Sequence, residues 1–148
     1  MQVVFYYHGS GEVADFITVE QTGTEIAVSL YHCKASGGRK AGARVDDTYE
    51  VCGQTIKSLI WLGGFEKLVK RISYRNGRRF GSHFLKGGKT ELQMLMAQSQ
   101  RTRTVYEIVV VQPGISRVLL PEKMALVLAA SDEYIKPRCQ SLRVMASA

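Results

Sequence analysis

The stretch Glu12 to Lys34, EVADFITVEQTGTEIAVSLYHCK, constrains this chain more than any other. It reads as two β-strands, Glu12 to Glu20 and Glu25 to Lys34, joined by turn residues Gln21-Thr22-Gly23-Thr24. The first strand carries Asp15 inside an apolar run, and the second ends in Tyr31-His32-Cys33-Lys34. Charged side chains are rarely buried unless they are paired or take part in chemistry, so an acid in one strand and a lysine ending its neighbour need a reason. The side-chain period of two puts Asp15, Ile17 and Val19 on one side of the first strand. It puts Leu30, His32 and Lys34 together on one side of the second, with Tyr31 and Cys33 opposite. Whether Asp15 and Lys34 meet depends on the register between the strands.

The rest of the chain supplies a frame. Val3 to Tyr7 precedes this hairpin as another β-branched and aromatic run, so three strands form an antiparallel meander. A loop of small and basic residues follows from Ala35 to Gly42, and a helix opens near Val45. Asp47 with Glu50 three residues on has the form of a capping box. Tyr49, Cys52, Ile56, Leu59 and Ile60 make an apolar stripe at helical spacing, expected to face inward, with Glu50, Gln54 and Lys57 on a polar one. Phe65 to Ser73 and Thr90 to Ser99 have helical patterns, and Tyr74 to Gly88 is a Gly-, Arg- and Lys-rich excursion. Val105 to Val111, VYEIVVV, is the strongest strand, and its apolar character predicts a central position covered on both faces, ended by Gln112-Pro113-Gly114. A helix opened by Pro121 and a short strand from Leu142 to Ala146 close the chain. The order predicts an α/β domain with a mixed β-sheet flanked by helices, and 148 residues suffice for a single domain with a substantial core.

Charge narrows the partners. Net charge is +7, yet residues 1–33 hold no lysine or arginine. Between Lys67 and Arg103 lie Lys67, Lys70, Arg71, Arg75, Arg78, Arg79, Lys86, Lys89, Arg101 and Arg103, against only Glu66 and Glu91. Such a block suits a polyanion, most simply nucleic acid, and equally a solvated basic face. Arg71, Arg75, Arg78, Arg79, Lys86 and Lys89 are the candidate phosphate contacts. No apolar run approaches the roughly 18 residues of a membrane span, so no membrane partner is expected. Cys33, Cys52 and Cys139 are odd in number and form no metal-type spacing. With no leader visible, the expected location is the cytoplasm.

Asp15 on a second strand, Lys34 closing a third and a polar helix face behind them resemble the PD-(D/E)xK, or restriction endonuclease-like, nuclease superfamily. The resemblance implies a restriction endonuclease-like core, hydrolysis of phosphodiester bonds, and Mg²⁺ or Mn²⁺ as cofactor. It makes Asp15 a metal ligand, Lys34 the group that positions the attacking water, and Gln54 a supporting polar residue. The departure is His32, which stands where that pattern has Glu or Asp. Three readings stay open: Glu50 replaces the missing carboxylate from the helix; His32 is itself a ligand, favouring a softer metal than Mg²⁺; or the site is degenerate and only binds. The Cys33 backbone carbonyl is a further oxygen donor in the first two.

Across nearly the whole length, GEVADFI, LYHCK, VDDTYEVCGQTIKS, VVVQPG and VLAASDEYI resemble a nuclease-like domain at the C-terminal end of bacterial DEAD/DEAH-box helicase proteins. That likeness implies a fragment of a longer helicase–nuclease protein, with a helicase domain as partner in cis or in trans. It favours DNA over RNA as substrate and makes a homodimer a candidate assembly.

Overall fold

The computed structural model describes residues 1–148 apart from 10, 35–43, 78–80, 117 and 148, and apart from the side chain of 147. The elements are β1 (Gln2–Tyr6), β2 (Phe16–Thr22), β3 (Glu25–Cys33), α1 (Val45–Ser58), a 3₁₀ turn (Leu59–Trp61) and α2 (Phe65–Arg75). They continue with β4 (His83–Lys86), α3 (Lys89–Ser99), β5 (Arg103–Ser116), α4 (Glu122–Ile135) and β6 (Arg143–Ser147). The result is α/β, with a six-stranded sheet ordered β4-β1-β2-β3-β5-β6. β1, β2 and β3 form the expected antiparallel meander, while β5 runs parallel to β3 and to β6. The parallel neighbours require crossovers, and α1 to α3 supply the first and α4 the second.

The helices sit on one face. Phe5 pairs with Ile17, Ile17 with Leu30 and Leu30 with Ile108, so these side chains share a side, and all four are buried. Phe65, Leu68 and Ile72 of α2 and Leu92 and Leu95 of α3 pack into the cluster these strands form. Val51 and Cys52 of α1 meet Met124 and Leu128 of α4 over Val110, and Ile135 reaches Ile108. Every strand residue in these buried clusters comes from this one face. On the opposite face of β5 Val109 is fully buried, while Val105, Glu107 and Val111 are only partly buried. The expectation that β5 is covered on both faces is therefore corrected: among the described residues no helix packs on its second side. That face of β5 is apolar because it is surrounded by neighbouring strands, not because a layer lies over it.

Further boundaries differ from the reading of the sequence. β5 continues through Pro113 and Gly114 to Ser116, with a register irregularity against β6 after Gln112 that accommodates the proline. The basic excursion contains β4, which adds to the outer edge of β1. α1 begins at Val45, so Asp47 lies inside the first turn and the helix has no side-chain cap, which removes the capping box. The apolar stripe of α1 is split, with Cys52 and Leu59 buried. Tyr49, Ile56 and Ile60 are exposed, whereas Thr48, Thr55 and Ser58 are buried. Tyr49 and Ile56 instead line an open groove of about 820 Å³ with Leu126, Val127 and Tyr134 of α4.

Candidate functional site

Asp15 lies one residue before β2, yet the ladder extends through it. Its N–H donates to the Tyr31 carbonyl at 2.9 Å, and its carbonyl accepts from Tyr7 N–H at 2.9 Å. Asp15 thus stays in step with β1, opposite Tyr7 on the helix-covered side, but its bond to Tyr31 slips one residue from the β2–β3 register, as at a β-bulge. Asp15 Oδ2 accepts a 2.7 Å bond from the Cys33 N–H. Oδ1 has no donor among the described residues. Lys34, just past β3, keeps the parallel ladder going by donating its N–H to the Val111 carbonyl at 3.0 Å. Its side chain shares a face with His32 and reaches α1, where Nζ meets Glu50 Oε2 at 2.6 Å. Register thus gathers Asp15, His32 and Lys34 at one end of β2 and β3, and α1 brings Glu50 to the lysine.

His32 is held differently from a replacement carboxylate. It is 4% exposed, and its Nε2 lies 2.8 Å from Ser58 Oγ. Ser58 has one hydroxyl proton and two carbonyls to receive it, Val13 at 2.7 Å and Gln54 at 3.1 Å. With that proton on Val13, His32 must carry its own on Nε2 and donate to Ser58. The lone pair then sits on Nδ1, which has no partner among the described residues. Burial lowers the His32 pKa to about 4, so the ring is neutral near pH 7. A ligand role for His32 runs through Nδ1 alone.

A cavity of about 280 Å³ adjoins this ring, lined by Gly11, Glu12, His32, Gln54 and Lys57. Gln54 and Lys57 therefore lie beside His32, as the polar face of α1 suggested, while Glu50 is one turn nearer Lys34. Glu12 turns back on its own loop, accepting from Gly9 N–H at 2.7 Å. The Cys33 thiol is raised to about 11 by burial and then by the nearby Asp15 charge, so it is neutral and contributes no soft thiolate.

Sequence reasoning passed over three residues here. Ser58 orients His32, and its signal was the spacing of Thr48, Thr55 and Ser58 along one stripe of α1. Gln112 follows Val111 and so lies beside Lys34 in the parallel ladder, fully buried, with Thr48 Oγ1 donating to its Oε1 at 3.4 Å. Its Nε2 and Asp47 Oδ2 are buried without hydrogen-bond partners. Nothing in the sequence separates Gln112 from an ordinary turn residue before Pro-Gly.

The candidate phosphate contacts are divided. Arg75 is 3% exposed, with its Nε donating to Tyr7 Oη at 3.1 Å and its guanidinium 5.1 Å over the Tyr7 ring. A guanidinium enclosed in this way holds the fold together and is not on the surface. Arg71 donates to Tyr7 Oη at 2.7 Å and to the Gly11 carbonyl at 3.0 Å, tying α2 to the loop before Asp15. Lys86 and Lys89 are exposed, Lys86 donating to Gln2 Oε1 at 2.6 Å. Arg78 and Arg79 lie outside the described residues.

Among the described residues no group of three or more His, Cys, Asp and Glu side chains is arranged to hold a metal. The elements that meet here carry hard donors: one Asp15 oxygen with no donor among the described residues, the Glu50 carboxylate and the Cys33 carbonyl at the end of β3. Mg²⁺ is commonly held by one or two carboxylates together with water and substrate phosphate, and not by an all-protein cage, so the donor chemistry fits a hard divalent cation. Comparison of the chain with family models, with curated proteins and with solved structures finds no match.

Proposed function

We propose that this protein is a metal-dependent nuclease domain that hydrolyses phosphodiester bonds in DNA. The observation that carries the reading is the 2.6 Å contact of Lys34 with Glu50. It brings a carboxylate from α1 to the lysine that follows Cys33, whose N–H holds the Asp15 carboxylate. The acid absent at position 32 is thereby available from the neighbouring helix, and of the three readings of the second ligand this contact favours Glu50.

In this proposal Asp15 Oδ1 and Glu50 hold Mg²⁺ or Mn²⁺, with the Cys33 carbonyl adjacent. The bound cation polarises the phosphate and favours ionisation of water. Lys34 Nζ, positioned by Glu50, orients the attacking water and offsets the charge that develops on phosphorus-bound oxygen. Neutral His32 keeps a second cation out of a site already holding Lys34. Lys86 and Lys89 attract the backbone by a sequence-independent, salt-sensitive force. The resemblance to helicase-associated domains extends the proposal to a helicase partner that separates the strands, and to a cytoplasmic setting. No described helix is long and apolar enough to cross a membrane.

The test is cleavage of single- and double-stranded DNA and RNA with Mg²⁺ or Mn²⁺, comparing wild type with Asp15→Asn and Lys34→Ala. Metal-dependent cutting by the wild type, lost in both variants, is expected. Absence of cutting by the wild type, with salt-sensitive binding intact, returns the second reading: a nucleic-acid-binding or protein-docking module of this fold. That alternative is favoured by the tie between His32 and Ser58, which is what a purely structural histidine makes.

A further inference from the structure

The face of the sheet away from the helices carries an aromatic row. Strand pairing aligns His83 of β4 with Tyr6 of β1, Tyr6 with Phe16 of β2, and Phe16 with Tyr31 of β3. The same line continues through Val109 of β5 to Arg143 of β6. Tyr6, Phe16 and Tyr31 are each partly exposed. The rings form one surface: Tyr6 is 5.3 Å from Phe16 and 5.6 Å from His83 between centroids, and the exposed His8 ring stacks on Tyr6 at 5.7 Å and 14°. Neighbouring strands are about 4.8 Å apart, so three adjacent strands set Tyr6, Phe16 and Tyr31 along about 10 Å of one face.

We infer that this row is a stacking platform for the unpaired bases of a single nucleic-acid strand. A multi-stranded sheet offering aromatics from neighbouring strands on an uncovered face can stack two or three bases, and every base has a ring face to offer. Charge agrees. Lys86 stands in a neighbouring row of the same face, and the chain as a whole carries +7. The acids on this side are spent or distant: Glu107 pairs with Arg143 at 3.3 Å, and Glu20 and Glu25 lie toward the other end of their strands. The platform is also at the right end of the sheet. Phe16 directly follows Asp15, and Tyr31 is three residues before Lys34, so a strand stacked on the row has its backbone at the edge around which the proposed hydrolytic site lies. The inference rests on the nucleic-acid reading of that site, and it names the substrate as unpaired, but it does not depend on the hydrolytic step.

The experiment measures binding of a labelled oligothymidylate, an abasic strand of the same length and a blunt duplex, without added divalent metal. The proteins are wild type, Tyr6→Leu, Phe16→Leu and Tyr31→Leu, which keep apolar bulk but lose the ring, with Tyr31→Phe, which keeps it. Wild type binds oligothymidylate more tightly than the abasic strand or the duplex. Each leucine variant loses about fivefold to hundredfold on oligothymidylate only, and Tyr31→Phe stays near wild type. Equal affinities for wild type and leucine variants, equal losses on the abasic strand, or no binding at all by the folded wild type overturn the platform. So does a dimer in light scattering that the leucine variants dissociate, since the row is then a self-interface. Cleavage by these same proteins after metal addition is scored separately. Its absence sinks the hydrolytic reading and leaves ring-dependent binding standing.

Discussion

The two faces of this sheet are made by the same strands, residue by alternate residue, and they differ in nearly everything else. On one face Phe5, Ile17, Leu30 and Ile108 are excluded from water beneath four helices. On the other, Tyr6, Phe16, Tyr31 and Val111 remain partly in contact with it. Over β2 and β3 hydropathy tells them apart, because Thr18, Glu20, Glu25 and Ser29 lie on the second face, but over β5, where Val105, Val109 and Val111 alternate with Ile108 and Val110, it hardly does. What separates them is whether a layer lies above, which is decided by the helices and not by the strand. A strand that is apolar on both sides is therefore evidence of surrounding strands as much as of two covering layers.

The sharpest way to break that contrast is a pair of neighbouring truncations. Leu30→Ala opens a cavity under the helices and is expected to lower unfolding free energy by about 3 kcal/mol, within the range of roughly 2–5 for such changes. Tyr31→Ala, one residue on and facing the other way, leaves space that water can fill, and should cost about half as much or less. Denaturant midpoints at constant slope decide this. Equal losses would mean that the second face is as well covered as the first.

The covered face also contains a proton sensor. His32 has a folded-state pKa of about 4, below the unfolded value near 6.5, because burial penalises the charged ring. A depressed histidine contributes stability that is full above the unfolded pKa and is lost as pH falls toward the folded one. Unfolding free energy should therefore drop by roughly 3 kcal/mol between about pH 6.5 and 4. Measuring the stability of wild type and His32→Gln against pH isolates it, since the variant lacks this component of the slope. A slope unchanged by the substitution would show that the ring is not held neutral by burial.

Ser58→Ala is a smaller change at the same place. It removes the acceptor for the His32 Nε2 proton and the hydroxyl that satisfies the Val13 carbonyl, and should cost about 1–3 kcal/mol. Ser58→Thr, retaining the hydroxyl, should recover part of the loss. If alanine and threonine behave alike, the effect is one of packing and the hydroxyl bonds are incidental.

How far the sequence discloses all this depends on which physical term decides each feature. The meander was legible because strand periodicity and turn chemistry act locally. So were the faces of β2 and β3, since a period of two leaves no choice once a single residue is placed. The bond from Cys33 N–H to the Asp15 carboxylate was not legible, because it follows from how β2 and β3 pair at Phe16 and Tyr31, and register is a tertiary outcome. The apolar stripe of α1 was only half a guide to its buried face, for a related reason. Its apolar stripe at Tyr49, Ile56 and Ile60 outweighs Thr48, Thr55 and Ser58 in hydropathy. At its place in the fold, however, the helix lies over His32, Gln112 and the Val13 carbonyl, which hydroxyls satisfy and aliphatics do not. Polar groups that must be buried select their own partners. β4 stayed undecided between a strand-like excursion and an exposed loop, because four residues beside a run of glycine and arginine carry too little pattern to choose.

The least costly change carries the most functional information. Lys34 and Glu50 lie at 2.6 Å but Glu50 is 56% exposed, and a pair so open to solvent contributes about 0.5 kcal/mol or less after screening. Glu50→Gln should thus leave the melting temperature within about 2 °C of wild type. If Glu50 is the carboxylate that stands in for the acid missing at position 32, the same variant should lose metal-dependent cleavage by at least about a hundredfold, as expected when a group that stabilises the transition state electrostatically is removed. A substitution that is silent for stability and severe for cleavage cannot be explained by misfolding. Retained cleavage in Glu50→Gln, beside its loss in Asp15→Asn, would move the second ligand to His32 Nδ1, and Ser58→Ala would then have to weaken cleavage as well, because that hydroxyl fixes which ring nitrogen is free.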